Sequence, residues 1–182
     1  MTDHHHPPDL TLTALWNLLP EDNLGPPPHG SAVQGESLPG PHRRLLIHKR
    51  HMTVALREYH DADVDLHVLA RRHDGDLYVR RLVLTVNGTD LPALFGIMRI
   101  HLDNAPPAAR EEILAERTPL GEILIGHGVL RRIEPIKFLE ITPTAPLARL
   151  LRVSTLRPLY GRLAQIHCGG ERAVDLLEVV AP

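Results

Sequence analysis

Two charged residues stand within otherwise apolar strand patterns and are the first candidates for chemistry. By the two-residue period of a strand, Arg80 shares a face with Leu82 and Leu84, whereas Arg81 shares the other face with Val79 and Val83, so periodicity does not cleanly separate the two arginines. By the same rule, the carboxylate of Glu178 shares a face with Leu176. A buried guanidinium binds a carboxylate through parallel N–H donors, and a buried carboxylate accepts a hydrogen bond or takes up a proton. The structural alternative is that Arg80 pairs with Glu178 or reaches water, and that Glu178 joins an ion pair.

The segment Thr118–Gly121, Thr-Pro-Leu-Gly, has the composition of a helix start. We expect Thr118 to cap the helix and Pro119 to occupy its first turn. The N–H groups of Leu120 and Gly121 then remain unpaired at the positive end of the helix dipole, where they can bind a carboxylate or a phosphate. The alternative is an ordinary helix start whose donors face water.

Three further features are less specific. Gly96 interrupts the third strand of the predicted sheet, so either a bulge lies there or another group closely approaches the backbone. Cys168 is the single cysteine, which excludes an internal disulfide and a thiolate zinc cluster, and we interpret it as a reduced strand residue rather than a nucleophile. The thirteen histidines include a terminal tract, His4–His6, but they lack the ligand spacing of a catalytic metal site, so no metal is expected.

The bulk composition favours one globular domain that binds neither nucleic acid nor membrane. With 182 residues, 43% of them apolar, the chain is long enough for one core and too short for two full domains. The net charge of −2 and the 3% aromatic content give no basic patch or base-stacking platform. The sequence lacks both an apolar run of membrane-spanning length and an export signal, so we expect a cytoplasmic protein, with a monomer as the default.

The first 41 residues differ from the rest of the chain. Residues 9–19 have the apolar spacing of a short amphipathic helix, and Pro20 ends it. Between Pro20 and Pro41, six prolines and four glycines predict an extended or mobile loop. We therefore divide the chain into an N-terminal helix and flexible segment, residues 1–41, and a folded domain, residues 42–182.

The remaining pattern predicts an α+β domain in which one antiparallel sheet is covered by helices on one face. Asp74-Gly75 and Asn87-Gly88 are typical of tight turns between strands. The predicted strands are 64–72, 77–86, 93–102, 130–141, 160–168 and 173–180, and the predicted helices are 43–60 with a break near 51–53, 104–116, 118–128 and 145–151.

Four short segments resemble one known family, the chorismate pyruvate-lyases, in their order and spacing. They are Phe-Gly-Ile-Met-Arg-Ile at 95–100, Arg-Thr-Pro-Leu-Gly at 117–121, Leu-Tyr-Gly-Arg at 159–162 and Leu-Leu-Glu-Val-Val-Ala-Pro at 176–182. The similarity covers roughly residues 45–182. The ligand-binding domains of a class of bacterial transcription regulators use the same fold, which encloses a ligand cavity.

The resemblance implies a set of site residues. Arg80 matches the family's carboxylate-binding arginine, and Glu178 matches its terminal carboxylate. Leu120 and, at another helix start, Met52 match backbone amide donors. Gly121 and Gly96 are assigned to the same binding site, so the implied set combines two catalytic residues, Arg80 and Glu178, with four further binding residues.

The activity that the resemblance implies is a carbon–oxygen lyase converting chorismate to 4-hydroxybenzoate and pyruvate without a metal or an organic cofactor. Aromatisation drives the elimination, so the protein needs only to orient the substrate and stabilise charge. Arg80 and the two amides hold the ring carboxylate, while Glu178 accepts from the ring hydroxyl. Arg99 and Lys137 are candidates for binding the enolpyruvyl carboxylate. The partner is then a small aromatic-acid precursor.

Two other functions fit the same fold. One is a biosynthetic enzyme acting on another small acid or a polyketide-like substrate. The other is a non-catalytic module that binds a small molecule, as in regulators. About 60 residues precede the first predicted strand and show no basic recognition helix, which weighs against the regulator alternative.

Overall fold

A computed structural model describes residues 10–20 and 23–182 of the chain. The helices, in chain order, are α1 (Leu12–Trp16), α2 (Gly40–Leu46), α3 (Met52–His60), α4 (Pro107–Ala115), α5 (Leu120–Gly126) and α6 (Ala145–Leu150). The strands are β1 (His29–Val33), β2 (Val64–Asp74), β3 (Leu77–Val86), β4 (Pro92–His101), β5 (Arg131–Thr142), β6 (Leu159–Cys168) and β7 (Glu171–Val180).

All seven strands form one antiparallel sheet in the order β1-β5-β6-β7-β4-β3-β2. The expected α+β domain with an antiparallel sheet is confirmed. The two predicted hairpin turns are also present, with Gly75 and Gly88 at positive φ. The break expected near residue 51 separates α2 from α3, since His51 precedes the first residue of α3 in an extended conformation.

Helices lie on both faces of the sheet. Apolar residues of α2, α3, α4 and α5 join one large core with the face that carries Leu82, Met98 and Leu176. The opposite face is covered by α1 and α6, where Trp16 packs against Phe95 with ring centroids 5.6 Å apart. Burial on both faces explains why β3, β4 and β7 read as nearly continuous apolar runs.

The prediction of a loop throughout residues 20–41 is wrong at His29–Val33, which forms the edge strand β1 and pairs with β5. An edge strand needs partners on one side only, so its weak apolar pattern, with four exposed residues and one half-buried, does not prevent pairing. The division of the chain at residue 41 remains a prediction, although both α1 and β1 pack on the sheet that the later residues form.

The register of the central strands determines which face of the sheet the candidate residues occupy and which residues lie beside them. One row across the sheet contains Leu82, Gly96, Glu178 and Arg162. The adjacent row on the same face contains Arg80 with its neighbours Met98, Leu176 and Ala164. Arg80 and Glu178 therefore point to the same side of the sheet, two strands and two residues apart, which corresponds to a Cα separation of about 12 Å.

Close backbone packing between β6 and β7 depends on Gly161. A Cβ atom at this position would lie 2.5 Å from the backbone oxygen of Glu178, too close for van der Waals contact. The chain can relieve that clash only by moving strand backbone, which would displace the neighbouring pair of Arg162 and Glu178.

We expect Gly161→Ala to destabilise the protein by about 1–3 kcal/mol, because the added methyl group overpacks a strand interface. Gly126→Ala is the matched control, since a Cβ atom at the end of α5 meets no atom within 4 Å. The midpoint of urea unfolding should fall for the first variant and stay equal or rise for the second. Equal midpoints would show that β6 and β7 do not approach this closely.

Candidate functional site

A small cavity lies between the sheet and the first turns of α3 and α5. Its volume is about 30 Å³, close to that of one water molecule. The walls combine aliphatic side chains with a few polar groups, and the lining residues are His51, Met52, Thr53, Leu66, Arg80, Leu82, Leu84, Leu94, Met98, Pro119, Leu120, Gly121, Ile166, Leu176 and Glu178. Five of the six residues assigned to the site from sequence thus meet at one place.

Arg80 is completely buried and incompletely satisfied. Its Nε and Nη1 atoms have no hydrogen-bond partner among the described residues, and its Nη2 lies 3.9 Å from the sulfur of Met98. Burial lowers the pKa of Arg80, an effect that the nearby side chains of Tyr78 and Glu116 oppose. A buried charge normally has a paired partner, so the two unpaired donors identify this arginine as the strongest candidate for binding an anion.

A negative charge near Arg80 comes from Glu116, a residue that the sequence pattern did not single out. The Tyr78 hydroxyl donates to the Glu116 carboxylate, and Arg71 forms an ion pair with the same carboxylate at 2.6 Å. Burial and this hydrogen bond raise the pKa of Tyr78. Glu116 thus provides one negative charge near Arg80 and shares it with the exposed Arg71.

Glu178 is paired with Arg162 rather than with Arg80. The Nε atom of Arg162 donates to Oε2 of Glu178 at 2.6 Å, and both side chains are buried. The Nη1 atom of Arg162 also donates to the backbone oxygens of Leu46 and His48, at 3.1 and 2.9 Å. The carboxylate is therefore a member of an ion pair, as the structural alternative held, and still lines the cavity.

The helix starts at the cavity supply backbone donors. In α5, the N–H groups of Glu122 and Ile123 bond to the oxygen of Pro119, so the N–H groups of Leu120 and Gly121 precede the helix's own hydrogen bonds. The prediction that Thr118 caps α5 is wrong, because Pro119 is the capping residue and no side chain caps this end.

The N-terminus of α3 faces the same cavity. The N–H groups of Val54 and Ala55 bond to the oxygen of His51, which leaves those of Met52 and Thr53 without a helical acceptor. The buried Oγ1 of Thr53 also has no partner within the described residues. Two helix dipoles and a hydroxyl thus add to the positive potential around Arg80.

Gly121 lets the two helix starts approach each other. A Cβ atom there would lie 2.6 Å from Oγ1 of Thr53 and 2.9 Å from Cβ of His51. Gly96, in contrast, is not part of the cavity wall. The space over Gly96 is taken by Leu82 and Leu94, whose side-chain atoms would lie 3.3 and 3.4 Å from an added Cβ. The close approach inferred at Gly96 is thus made by neighbouring leucines.

Arg99 and Lys137, the two candidates for binding the enolpyruvyl carboxylate, do not line the cavity. Arg99 lies on the opposite face of the sheet and forms an ion pair with Asp175 at 2.6 Å. Lys137 pairs in register with Leu163, whose side chain belongs to the opposite core. The strand period that places Arg80 at the cavity therefore directs both residues away from it.

His51 and Arg131 were not recognised from sequence. His51 is buried beside the cavity, and its Nε2 accepts a hydrogen bond of 2.5 Å from Nε of Arg131. Burial and the charges of Arg131 and Arg162 lower the pKa of His51 to about 4. A neutral imidazole that accepts a bond from arginine is thus built into the cavity wall. The 80-residue separation of the two partners explains why no local pattern revealed them.

No group of three or more potential metal ligands occurs within residues 10–20 and 23–182. The tract His4–His6 lies outside the described residues. In the described part of the chain, no helix is long and apolar enough to span a bilayer.

Comparison with known proteins gives structural matches without sequence matches. No family model matches the chain and no curated protein sequence is similar to it. Among solved structures, one similar structure is a ligand-binding domain from Bordetella bronchiseptica, which belongs to a protein assigned to the GntR family of transcriptional regulators. The match has a TM-score of 0.50 and 16% identity, and it covers 65% of this chain and 85% of that domain.

The effector domain of PhnF from Mycobacterium smegmatis is similar with a TM-score of 0.51 and 12% identity, over 72% of this chain and 88% of that chain. The structure of PhnF itself matches with a TM-score of 0.51 and 13% identity, over 75% of this chain and 66% of PhnF. The fold is therefore the chorismate lyase-like fold of such ligand-binding domains. The finer resemblance to chorismate pyruvate-lyases is not shown by these matches.

The expectation of a carbon–oxygen lyase is wrong. The similar structures are ligand-binding and effector domains of regulators rather than enzymes. The geometry of the site also weighs against a lyase, because Oε2 of Glu178, the carboxylate expected to act on a substrate, is already hydrogen-bonded to Arg162. Binding roles for Arg80 and Glu178 stay predictions.

Arg80 and Arg162 are both completely buried but should respond in opposite ways to removal of their charge. Arg80→Met should raise the free energy of unfolding by about 1–3 kcal/mol, because it removes unpaired buried donors. Arg162→Met should lower it by about 3 kcal/mol or more, since it leaves the Glu178 carboxylate buried without its partner. Urea unfolding of both variants measures the two changes. Destabilisation by Arg80→Met as large as that by Arg162→Met would contradict an uncompensated Arg80.

His51 should make stability depend on pH below neutrality. An unfolded-state pKa near 6.5 and a folded-state pKa of about 4 mean that the unfolded chain binds the proton first as the pH falls. The contribution is complete above pH 6.5 and is lost between there and about pH 4, with a size of about 2–3 kcal/mol.

The measurement is the unfolding free energy from pH 7.5 to 4 for the parent, His51→Gln and the exposed control His29→Gln. Other buried histidines contribute to every profile, so the difference between profiles is what reports on His51. A flatter profile is expected for His51→Gln alone. Parallel profiles for all three proteins would mean that His51 titrates equally in both states.

Proposed function

We propose that this protein binds a small carboxylic acid in the cavity at Arg80 and does not transform it. The observation that carries the proposal is a completely buried guanidinium with two donors that no described residue accepts from. A ligand carboxylate has a charge of the required sign, and its oxygens can accept from Nε or from Nη1, which lie on different edges of the guanidinium. Binding would therefore provide an acceptor for buried donors that have none among the described residues.

The helix starts support the same ligand class. The amides of Met52, Thr53, Leu120 and Gly121 lie at the N-termini of α3 and α5, where the helix dipoles favour an anion. The hydroxyl of Thr53 is a further donor at this position. Arg80 provides the charge and the helix starts provide directional donors. A carboxylate needs both kinds of group.

The rest of the ligand is inferred from the walls. Leu66, Leu84, Leu94 and Ile166 are among the aliphatic residues that surround the polar groups, which suits a flat apolar body such as a six-membered ring. Glu178 lines the wall about two strands from Arg80 and is proposed to accept a hydrogen bond from a ligand hydroxyl. A cavity of about 30 Å³ must widen to admit a ring, which α3 and α5 can allow by moving outward from the sheet.

The structural neighbours favour binding over catalysis. The domains from Bordetella bronchiseptica and Mycobacterium smegmatis are described as ligand-binding and effector domains, and they share this fold at 16% and 12% identity. At such low identities the similarity establishes the fold alone, so the class of ligand is inferred from the residues that line the cavity. A role as the sensing part of a regulator is consistent with both observations.

The test is calorimetric titration and thermal shift with 4-hydroxybenzoate, 3-hydroxybenzoate and the uncharged 4-hydroxybenzamide. A ligand present at 100 times its Kd should stabilise the folded state by about 2.7 kcal/mol. We expect the acids to bind and the amide to bind far more weakly. Arg80→Met should abolish binding of the acids.

Arg81→Met is the matched control for this experiment. Arg81 is equally buried and adjacent in sequence, but it lies on the other sheet face, donates to the Trp16 oxygen at 2.9 Å and stacks on the Trp16 ring. Its loss should lower stability and leave affinity for the acids unchanged. Equal affinity of acid and amide, or retained affinity in Arg80→Met, would reject the proposed site.

A further inference from the structure

A second depression adjoins the cavity on the outer side of His51. This basic groove has a volume of about 670 Å³ and is lined by four basic side chains, those of Lys49, Arg50, Arg131 and Arg132. Its remaining walls are largely apolar residues of α3, α5, β5 and the loop before β5. No acidic residue is among the residues that line it. The groove is therefore cationic and amphipathic.

His51 forms the wall that the cavity and the basic groove share, because its side chain lines both. The Nε2 atom of the ring is occupied by the hydrogen bond from Arg131. The lowered pKa of His51 keeps the ring neutral, so it holds the arginine without repelling it. This contact orients the Arg131 guanidinium at the boundary between the two spaces.

The four cations of the groove are not equally compensated. Arg50 forms an ion pair with Glu58 at 2.6 Å, and Arg132 forms one with Glu134 at 2.9 Å. Arg131 donates through Nε to His51 and through Nη1 to the backbone oxygen of Val129, and it has no carboxylate partner among the described residues. Lys49 is exposed and likewise has no carboxylate within 4 Å in the described part of the chain. Two positive charges thus remain available at the groove.

The two spaces are close enough for one small ligand to reach both. Arg50 lines the groove and Thr53 lines the cavity, and the three residue steps between them span at most about 11 Å of backbone. A benzoic acid with a short side arm has a comparable length. A molecule held at Arg80 can therefore reach the uncompensated cations if the His51 side chain, which separates the two spaces, moves aside.

We propose that the basic groove binds a second anionic group of the same ligand, a carboxylate or a phosphate, with Arg131 and Lys49 as its cations. The ligand is then an elongated dianion with one carboxylate at Arg80, an apolar middle part and an anionic end outside His51. This inference rests on the proposed function. It adds the second charge and its position, which distinguish this ligand class from simple aromatic acids.

The experiment compares three ligands by calorimetry with the full chain: 3- and 4-(carboxymethoxy)benzoate, and the carbamoylmethoxy analogue of whichever acid binds more tightly. The analogue has the same shape but only one charge. We expect the better diacid to bind about tenfold more tightly than its analogue, a gain typical of one added charge-assisted contact. That gain should shrink as salt is added.

Variants assign the second charge to particular residues. Arg131→Met should remove the tenfold advantage of the diacid over the carbamoyl analogue, and measuring both ligands on the same variant corrects for any change at the His51 wall of the inner cavity. Lys49→Met, at an exposed position, should reduce the advantage without affecting folding. Arg132→Met is the matched control and should preserve it, because Arg132 is paired with Glu134.

The outcomes separate the two proposals. If the analogue binds and the diacid binds no better, the groove proposal is overturned and the cavity at Arg80 stands. If Arg132→Met reduces the advantage as much as Arg131→Met does, the attraction is diffuse and the assignment to Arg131 fails. If no compound binds, the proposed function fails together with the inference that rests on it.

Discussion

The structure depends on how it accommodates a positive charge that the sheet buries without a partner. Arg80 points into the core beneath α3 and α5, and its neighbours in the same row of β4 and β7 are Met98 and Leu176. Among the described residues, that charge is met by the sulfur of Met98 and by the side chains of Tyr78 and Glu116. The free energy gained by burying the surrounding apolar residues must offset the cost of burying this charge, and a bound anion would reduce that cost.

The other buried charged residues show which partners the protein provides for a charge that does not line the cavity. Arg162 has a carboxylate and two backbone oxygens, and Arg81 has a backbone oxygen and an indole ring. Asp175, on the opposite face, is held by both Arg99 and Arg172. Arg80 differs from these examples because its unpaired Nε and Nη1 atoms belong to a side chain that lines the cavity. That contrast is the reason for reading Arg80 as a ligand-binding residue.

Much of the fold could be predicted because its signals are local. The Asp-Gly and Asn-Gly turns fix the meander of β2, β3 and β4, and the strand period places Glu178 on an apolar face. The period does not separate Arg80 from Arg81, because β3 is buried on both faces. The pairing of Glu178 could not be obtained in this way. Counting back from the Gly169-Gly170 turn puts Leu177 opposite Arg162, whereas the register shift between Ile166 and His167 puts Glu178 there. Bulges are set by tertiary packing and have no reliable sequence signature.

The remaining errors have the same origin. The edge strand β1 forms because β5 offers it a partner, although its own residues are largely exposed. Arg131 reaches His51 across 80 residues of sequence, so the link between the cavity and the basic groove is visible only in three dimensions. The lyase expectation followed from the resemblance to chorismate pyruvate-lyases, whereas the pairing of Glu178 and the structural neighbours both weigh against it.

The most direct measurement of the central claim is nuclear magnetic resonance of the arginine Nε–H groups during titration with 4-hydroxybenzoate. The account predicts that the Arg80 Nε–H resonance shifts downfield on binding, together with the backbone amides of Leu120 and Gly121, while the Arg81 Nε–H stays unchanged. Saturable binding that leaves the Arg80 resonance unmoved, and shifts the exposed arginines instead, would contradict it.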